Sequence, residues 1–234
     1  KQIRDLVRKD PTVVAVTGLG QTRSSTIDAA EILGSEGPGR VPMVGSVASG
    51  NDFGGKQYFL RVGPSNDRQA DVAVNLFAEA GMFAPDQAVF VAVDNDDAYS
   101  RDLADAFTTS IIEQGEADPG GGRQPTDVQR LAYLAGTART PGSLRRLVQD
   151  MCARAGAARP ILVYAGRTTE LPTLITELRR AGRCGRDTML LGGDDLSQLE
   201  TAEFEDLSDR EYVDGRLFFA TFGATESGWR KRVG

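Results

Sequence analysis

The chain has 234 residues, 40% of them hydrophobic, enough for one or two domains with buried cores. A net charge of −6 without any basic block argues against a nucleic-acid surface, and no apolar run nears the ~18 residues of a membrane span. The absence of histidine removes the commonest general base, the Ser–His pair and most zinc sites, and two cysteines cannot supply a CxxC metal or redox motif.

In chain order, strand-like runs alternate with helical patterns. Val13–Thr17 reads as a strand and Ser24–Leu33 as a helix that Ser24 or Ser25 can cap. Strands follow at Pro42–Val44 and Tyr58–Val62, then a helix over Asp67–Ala80 and a strand over Ala88–Val93. A helix over Ser100–Gln114 leads to a strand at Val128–Leu134, a helix at Pro141–Ala155 and a strand at Ile161–Tyr164. The remainder reads as a helix over Thr169–Ala181 capped by Thr169, a strand at Thr188–Leu191, a helix at Gln198–Leu207 and a strand at Leu217–Phe222. Gly81, Gly115 and Gly182 stand where helices should stop. Continuous apolar strands that alternate with helices predict an α/β protein with parallel sheets.

Five loops follow strands, where α/β sheets bind their ligands. In the first, Gly18 and Gly20 make half of a dinucleotide fingerprint, but Arg23 replaces the third glycine. No acidic residue ends the next strand to hold a ribose. What remains is a helix N-terminus carrying Thr22, Ser24, Ser25 and Thr26, suited either to capping or to a carboxylate or phosphate. The second loop, VGSVASG, has the small residues Ser46, Ala48, Ser49 and Gly50, which let a ligand approach the backbone. The third, DNDDAY, offers Asp94, Asp96 and Asp97 as caps or as cation ligands. The fourth sets Arg167 after Gly166, and the fifth presents Asp194 and Asp195 after Gly192–Gly193, with no nucleophile and base beside them.

The order and wording of these loops resemble the type I periplasmic solute-binding proteins, in particular the leucine/isoleucine/valine-binding group and its receptor relatives. The matching pieces are VVAVTG…SSTIDAAEI, VPMVGSVAS, YFLRVGPSNDRQA, VFVAVDNDDAYSRDLADAF, ILVYAGRTTELPTLITELRRAG and LLGGDD, spread over most of residues 1–223. The resemblance implies two Rossmann-like parallel-sheet lobes that close on a hinge over a small polar ligand. On it, the carboxylate-gripping serine falls within Thr22 to Ser24, and the ligand loop on Val47, Ala48 and Ser49. The cleft tyrosine is Tyr99 and the ammonium-binding acid is Asp194. An aromatic residue of the family is replaced by Arg167 or Thr168, and an arginine there prefers an anionic group of the ligand or a carboxylate of the cleft.

The resemblance further implies non-catalytic binding of an amino acid or related carboxylate for the permease of an ABC transporter. The alternative is the sensing domain of a membrane receptor. No cofactor, metal or nucleic-acid partner is expected. The location implied is extracytoplasmic, at the cell surface or in the periplasm, with any signal segment outside these residues. Residues 1–64 should form part of lobe I, 65–220 lobe II and 221–234 the return crossing, with a βαβ unit before Lys1 and helices after Gly234 completing lobe I. In an oxidising compartment Cys152 and Cys184, brought to one edge of lobe II, are expected to form a disulfide.

Overall fold

The run from Gln87 to Asp94 is apolar at six consecutive positions from Ala88 and forms the central strand of the larger sheet. The structure, a computed structural model, describes residues 5, 7, 9–10, 12–17, 22–34, 41–45, 48–84, 86–117, 127–136, 139–196 and 215–219. Strands and helices alternate along most of the described chain, as the sequence implies, and the strands form two all-parallel sheets.

The smaller sheet joins β1 (Val16–Thr17), β2 (Met43–Gly45) and β3 (Phe59–Arg61) in that order. Helix α1 (Ser24–Gly34) covers it with Ala29, Ala30 and Leu33, which pack with Val41, Met43, Ala48, Phe53 and Phe59. These helix positions, spaced three and four apart, lie on one face. Phe53 and Phe59 stack at 4.3 Å between ring centroids. Gly45 is required beside them, because a Cβ there would stand 2.5 Å from the Phe59 ring.

The larger sheet has the order β5 (Val128–Tyr133), β4 (Gln87–Asp94), β6 (Arg159–Tyr164), β7 (Met189–Gly192), β8 (Leu217–Phe219). Side chains alternate across it. Val89, Val91 and Val93 of β4 face α2 (Asn66–Glu79) and α3 (Ala98–Ala117), whose Ala70, Val74, Phe77, Leu103, Phe107 and Ile111 complete one core. Phe90 and Ala92 face α4 (Thr140–Ala155) and α5 (Leu171–Arg180), with Leu144, Leu147, Met151, Leu174 and Leu178 in the second core. Burial of both faces explains why these strands read as unbroken apolar runs. Short helix α6 (Gly182–Asp187) follows α5, and a disulfide joins Cys184 on it to Cys152 on α4, with Cα atoms 5.9 Å apart.

Two local expectations fail. Thr169 does not cap a helix: residues Thr168–Glu170 form a 3-10 turn, α5 begins at Leu171, and the Thr169 hydroxyl donates to Glu170 Oε1 at 2.9 Å. Gly115 does not stop α3, which continues to Ala117. Gly182 does end α5 with a φ of +66°, but the next residues wind into α6 rather than a loop. The helix expected at Gln198–Leu207 and the end of the last expected strand, Ala220–Phe222, lie outside the described residues.

Candidate functional site

Strand β4 lies between β5 and β6, and the crossovers that leave β4 and β6 run to opposite faces of the sheet. A crevice therefore opens at their carboxyl ends, where α/β sheets place ligands. The loops there are the Asp94–Asp97 turn, Ala165–Arg167 and Gly193–Asp195.

Arg167 is the centre of this crevice. Its Nε and Nη2 donate to the two oxygens of Asp97 at 2.7 and 3.0 Å, a fork-to-fork pair. Nη1 reaches Asp195 Oδ1 at 3.5 Å, and the guanidinium carbon lies 4.2 Å above the centre of the Tyr99 ring. Nη2 also donates to the backbone oxygen of Thr22, at 2.8 Å, in the loop before α1. Of the two partners open to an arginine here, the structure thus gives it a cleft carboxylate. Burial works against the charge of Arg167, but the hydrogen bonds and charge of Asp97 outweigh it and raise the pKa.

The backbone behind Arg167 is fixed. The Tyr164 hydroxyl donates to the Arg167 carbonyl at 3.0 Å. A Cβ at Gly166 would stand 2.2 Å from the Tyr164 ring and 2.3 Å from the Tyr133 hydroxyl, so only glycine fits without rearrangement.

Asp194 and Asp195 turn to different partners. The Tyr99 hydroxyl donates to Asp194 Oδ1 at 3.0 Å, and the Asp194 N–H donates to Gln69 Oε1 at 3.0 Å. Burial pushes the Asp194 carboxyl up, against the lowering effect of the Tyr99 bond, while the neighbouring Asp195 charge adds to the rise. Burial likewise raises the Tyr99 phenol well above its ordinary value. Asp195 Oδ2 accepts from the Thr168 N–H at 2.7 Å. The Asp-rich turn takes the capping role: Asp94 Oδ1 accepts from the Asp96 N–H and Asp97 Oδ1 from the Tyr99 N–H, both at 3.1 Å. Among the described residues, no group of three or more His, Cys, Asp or Glu could hold a metal ion.

On the smaller sheet, Thr22 and Ser49 are each 1% exposed. Thr22 Oγ1 accepts from the Gly50 N–H at 2.8 Å, joining the first two loops as their shared crevice requires. Ser49 Oγ is buried with no hydrogen-bond partner among the described residues. Ala48 is buried, Ser25 is exposed in the first turn of α1, and the side chain of Ser24 and all of Val47 lie outside the described residues.

The sequence reading missed the residues that tie the two sheets together. Asp102 Oδ2 accepts from the Asn51 N–H at 2.8 Å and from Asn66 Nδ2 at 2.6 Å. Burial raises the Asp102 carboxyl, opposed by these two bonds. Arg61 Nη2 donates to the Gly50 carbonyl at 2.6 Å, and its partial burial lowers its pKa. A concavity of about 400 Å³ lies beside it, lined by Asn51, Phe53, Phe59, Arg61 and Asp67 among others. A signal existed for Asn66, and for the Gln69 that meets the Asp194 N–H. Asn66 and Gln69 stand four residues before Ala70 and Ala73, so they extend the buried stripe of α2 with amides where apolar residues belong.

No family model and no curated protein sequence matches the chain. Solved structures do resemble it. One is the leucine-binding protein LivK of Thermotoga maritima, at 19% identity and TM-score 0.61 over 93% of this chain and 53% of that one. A second is an ABC transporter substrate-binding protein of Desulfitobacterium hafniense in complex with Leu, at 20% identity and TM-score 0.58 over 85% and 52%. A third is a solute-binding protein of R. palustris in complex with 4-hydroxybenzoate, at 17% and 0.55 over 83% and 48%. The fold is that of the type I periplasmic solute-binding proteins. The chain spans about half the length of the structures it resembles. Among the described residues, no helix is long and apolar enough to cross a membrane.

Proposed function

We propose that the chain forms the ligand cleft of a solute-binding protein that captures a small polar molecule, an amino acid or related carboxylate, between two lobes without chemical change. Residues 1–64 belong to one lobe, 65–220 to the other, and 221–234 cross back. The protein works outside the cytoplasm and delivers its solute to the permease of an ABC transporter. The loop of Thr22, Ser24 and Ser25, with Val47, Ala48 and Ser49, receives the carboxylate. Tyr99 walls the cleft and Asp194 takes an ammonium group.

The observation that carries this reading is the Ser49 hydroxyl. It is buried and, among the described residues, without a hydrogen-bond partner, in a loop at the carboxyl end of a parallel sheet. A buried polar group without a partner is costly, and such groups persist where function uses them. A ligand carboxylate would supply the missing acceptor. Support also comes from the Arg167 bond to the Thr22 carbonyl, which brings loops of both sheets to one place. The two ligands named for the similar structures, leucine and 4-hydroxybenzoate, both carry a carboxylate.

A thermal-shift screen of amino acids and small carboxylates tests the proposal. A true ligand at ~100 Kd stabilises by about 2.7 kcal/mol. The reading is lost if no compound raises the melting temperature, or if a compound that does so binds Ser49→Ala and Asp194→Asn at wild-type strength.

A further inference from the structure

The surroundings of the Arg167 head group form a complete receptor for a cation. An aromatic face lies on one side, at 4.2 Å. Two carboxylates, Asp97 and Asp195, meet the edges of the guanidinium. A backbone carbonyl from the other sheet, that of Thr22, closes the ring of acceptors. Two acids against one guanidinium leave the cage net negative, and every group in it accepts hydrogen bonds or attracts positive charge. It offers nothing to a ligand carboxylate. The Nε–Nη2 edge of Arg167 is paired with Asp97, so this arginine does not present that edge to an incoming anion.

The occupant is held differently from the cage. Its backbone is pinned by Tyr164 and by the close packing around Gly166. Its side chain keeps 16% of its exposure, so the head borders solvent. The walls have independent anchors: Asp97 accepts from the Tyr99 N–H, Asp195 from the Thr168 N–H, and the Tyr99 hydroxyl bonds Asp194. None of these anchors involves the guanidinium.

We propose that this cage is the cation subsite of the cleft, filled here by the chain's own Arg167, and that the solute carries a guanidinium or ammonium end that takes it over. The inference rests on the solute-capture reading and narrows it from carboxylates in general to basic amino acids and related amines. Arg167 acts as a built-in competitor: a ligand must displace it, so its apparent affinity falls by the fraction of time the cage is free.

Calorimetric titration of agmatine, L-arginine, L-leucine and glutarate into the wild type, Arg167→Ala and Asp97→Asn reads this out. Arg167→Ala should bind agmatine and L-arginine about tenfold more tightly than the wild type, with no gain for leucine or glutarate. Asp97→Asn should weaken both cationic probes by about tenfold. If Arg167→Ala does not fold, Arg167→Met keeps the stem and removes the charge, and the same gain is expected. Equal or weaker binding of the cationic probes by the folded arginine variant overturns the proposal, as does tighter binding of glutarate than of agmatine by the wild type. Leucine bound by the wild type and lost in Ser49→Ala, without any gain for agmatine, removes the cation subsite while leaving solute capture standing.

Discussion

Replacing Ser49 with alanine separates the stability of the cleft from its use. The Ser49 hydroxyl is buried and unpaired among the described residues. A buried group in that state costs about 1–3 kcal/mol. Removing the oxygen leaves an atom-sized gap of roughly 15 Å³, and at ~24 cal/mol per Å³ this costs about 0.4 kcal/mol. The difference is a gain of about 0.6–2.6 kcal/mol for Ser49→Ala. For a protein of this size each kcal/mol moves Tm by about 2–4 °C, so the melt followed by circular dichroism should rise by roughly 1–10 °C. Solute affinity should fall at the same time, because the hydroxyl that the ligand would satisfy is gone. A variant that melts below the wild type, or that binds a solute identified by thermal shift with unchanged affinity, refutes the reasoning.

Other outcomes follow from the same geometry. Burial raises the Asp194 carboxyl above its ordinary value of 3.8. Its cost to the folded state is absent below that value and grows as pH rises through the folded pKa. Asp194→Asn should therefore melt higher than the wild type at pH 7, with the difference closing below pH ~4, while binding of an ammonium-bearing solute weakens by about 1.5–3 kcal/mol. Gly193→Ala places a Cβ 2.6 Å from Leu103 Cδ2 and 2.8 Å from the Tyr99 hydroxyl. It should cost about 1–3 kcal/mol in the melt and reduce binding by displacing Tyr99 from Asp194. Gly81→Ala, at φ +68° with open space around it, is the control that costs about 1–2 kcal/mol of backbone strain and leaves binding alone. The Cys152–Cys184 bond spans a sequence separation of 32. Its removal in Cys152→Ser/Cys184→Ser should cost about 3–4 kcal/mol in the melt with binding retained; two free thiols in the oxidised wild-type protein would contradict it.

The parts of the fold that the sequence displays are those whose pattern is set locally. Strands β4 and β6 are buried on both faces, so they stand out as apolar runs, and α2 to α5 show their buried stripes at three- and four-residue spacing. Helix α6 was hidden, because Gly-Arg-Cys-Gly-Arg-Asp has no apolar period and Gly182 carries a stop signal. In the site, the loops were visible from strand ends, glycines and hydroxyls. Their pairings were not. That Arg167 chooses Asp97, 70 positions away, or that Gln69 meets the Asp194 N–H across 125, depends on which strands become neighbours. Asp97 stands out in the sequence by its acidic neighbours, whereas nothing in the sequence around Asp102 marks it as a contact.

Asp102 has a mechanical consequence. Two donors from different elements, the Asn51 N–H and the Asn66 side-chain amide, converge on a single oxygen atom. The amide of Asn66 sits on α2, which packs on the larger sheet together with α3, so the Asn51 N–H is the donor that comes from the smaller sheet's side. Asn51 is held to these helices a second time, its Nδ2 donating to Asp67 Oδ1 at 2.7 Å. A movement that draws Asn51 away from the two helices breaks both bonds together.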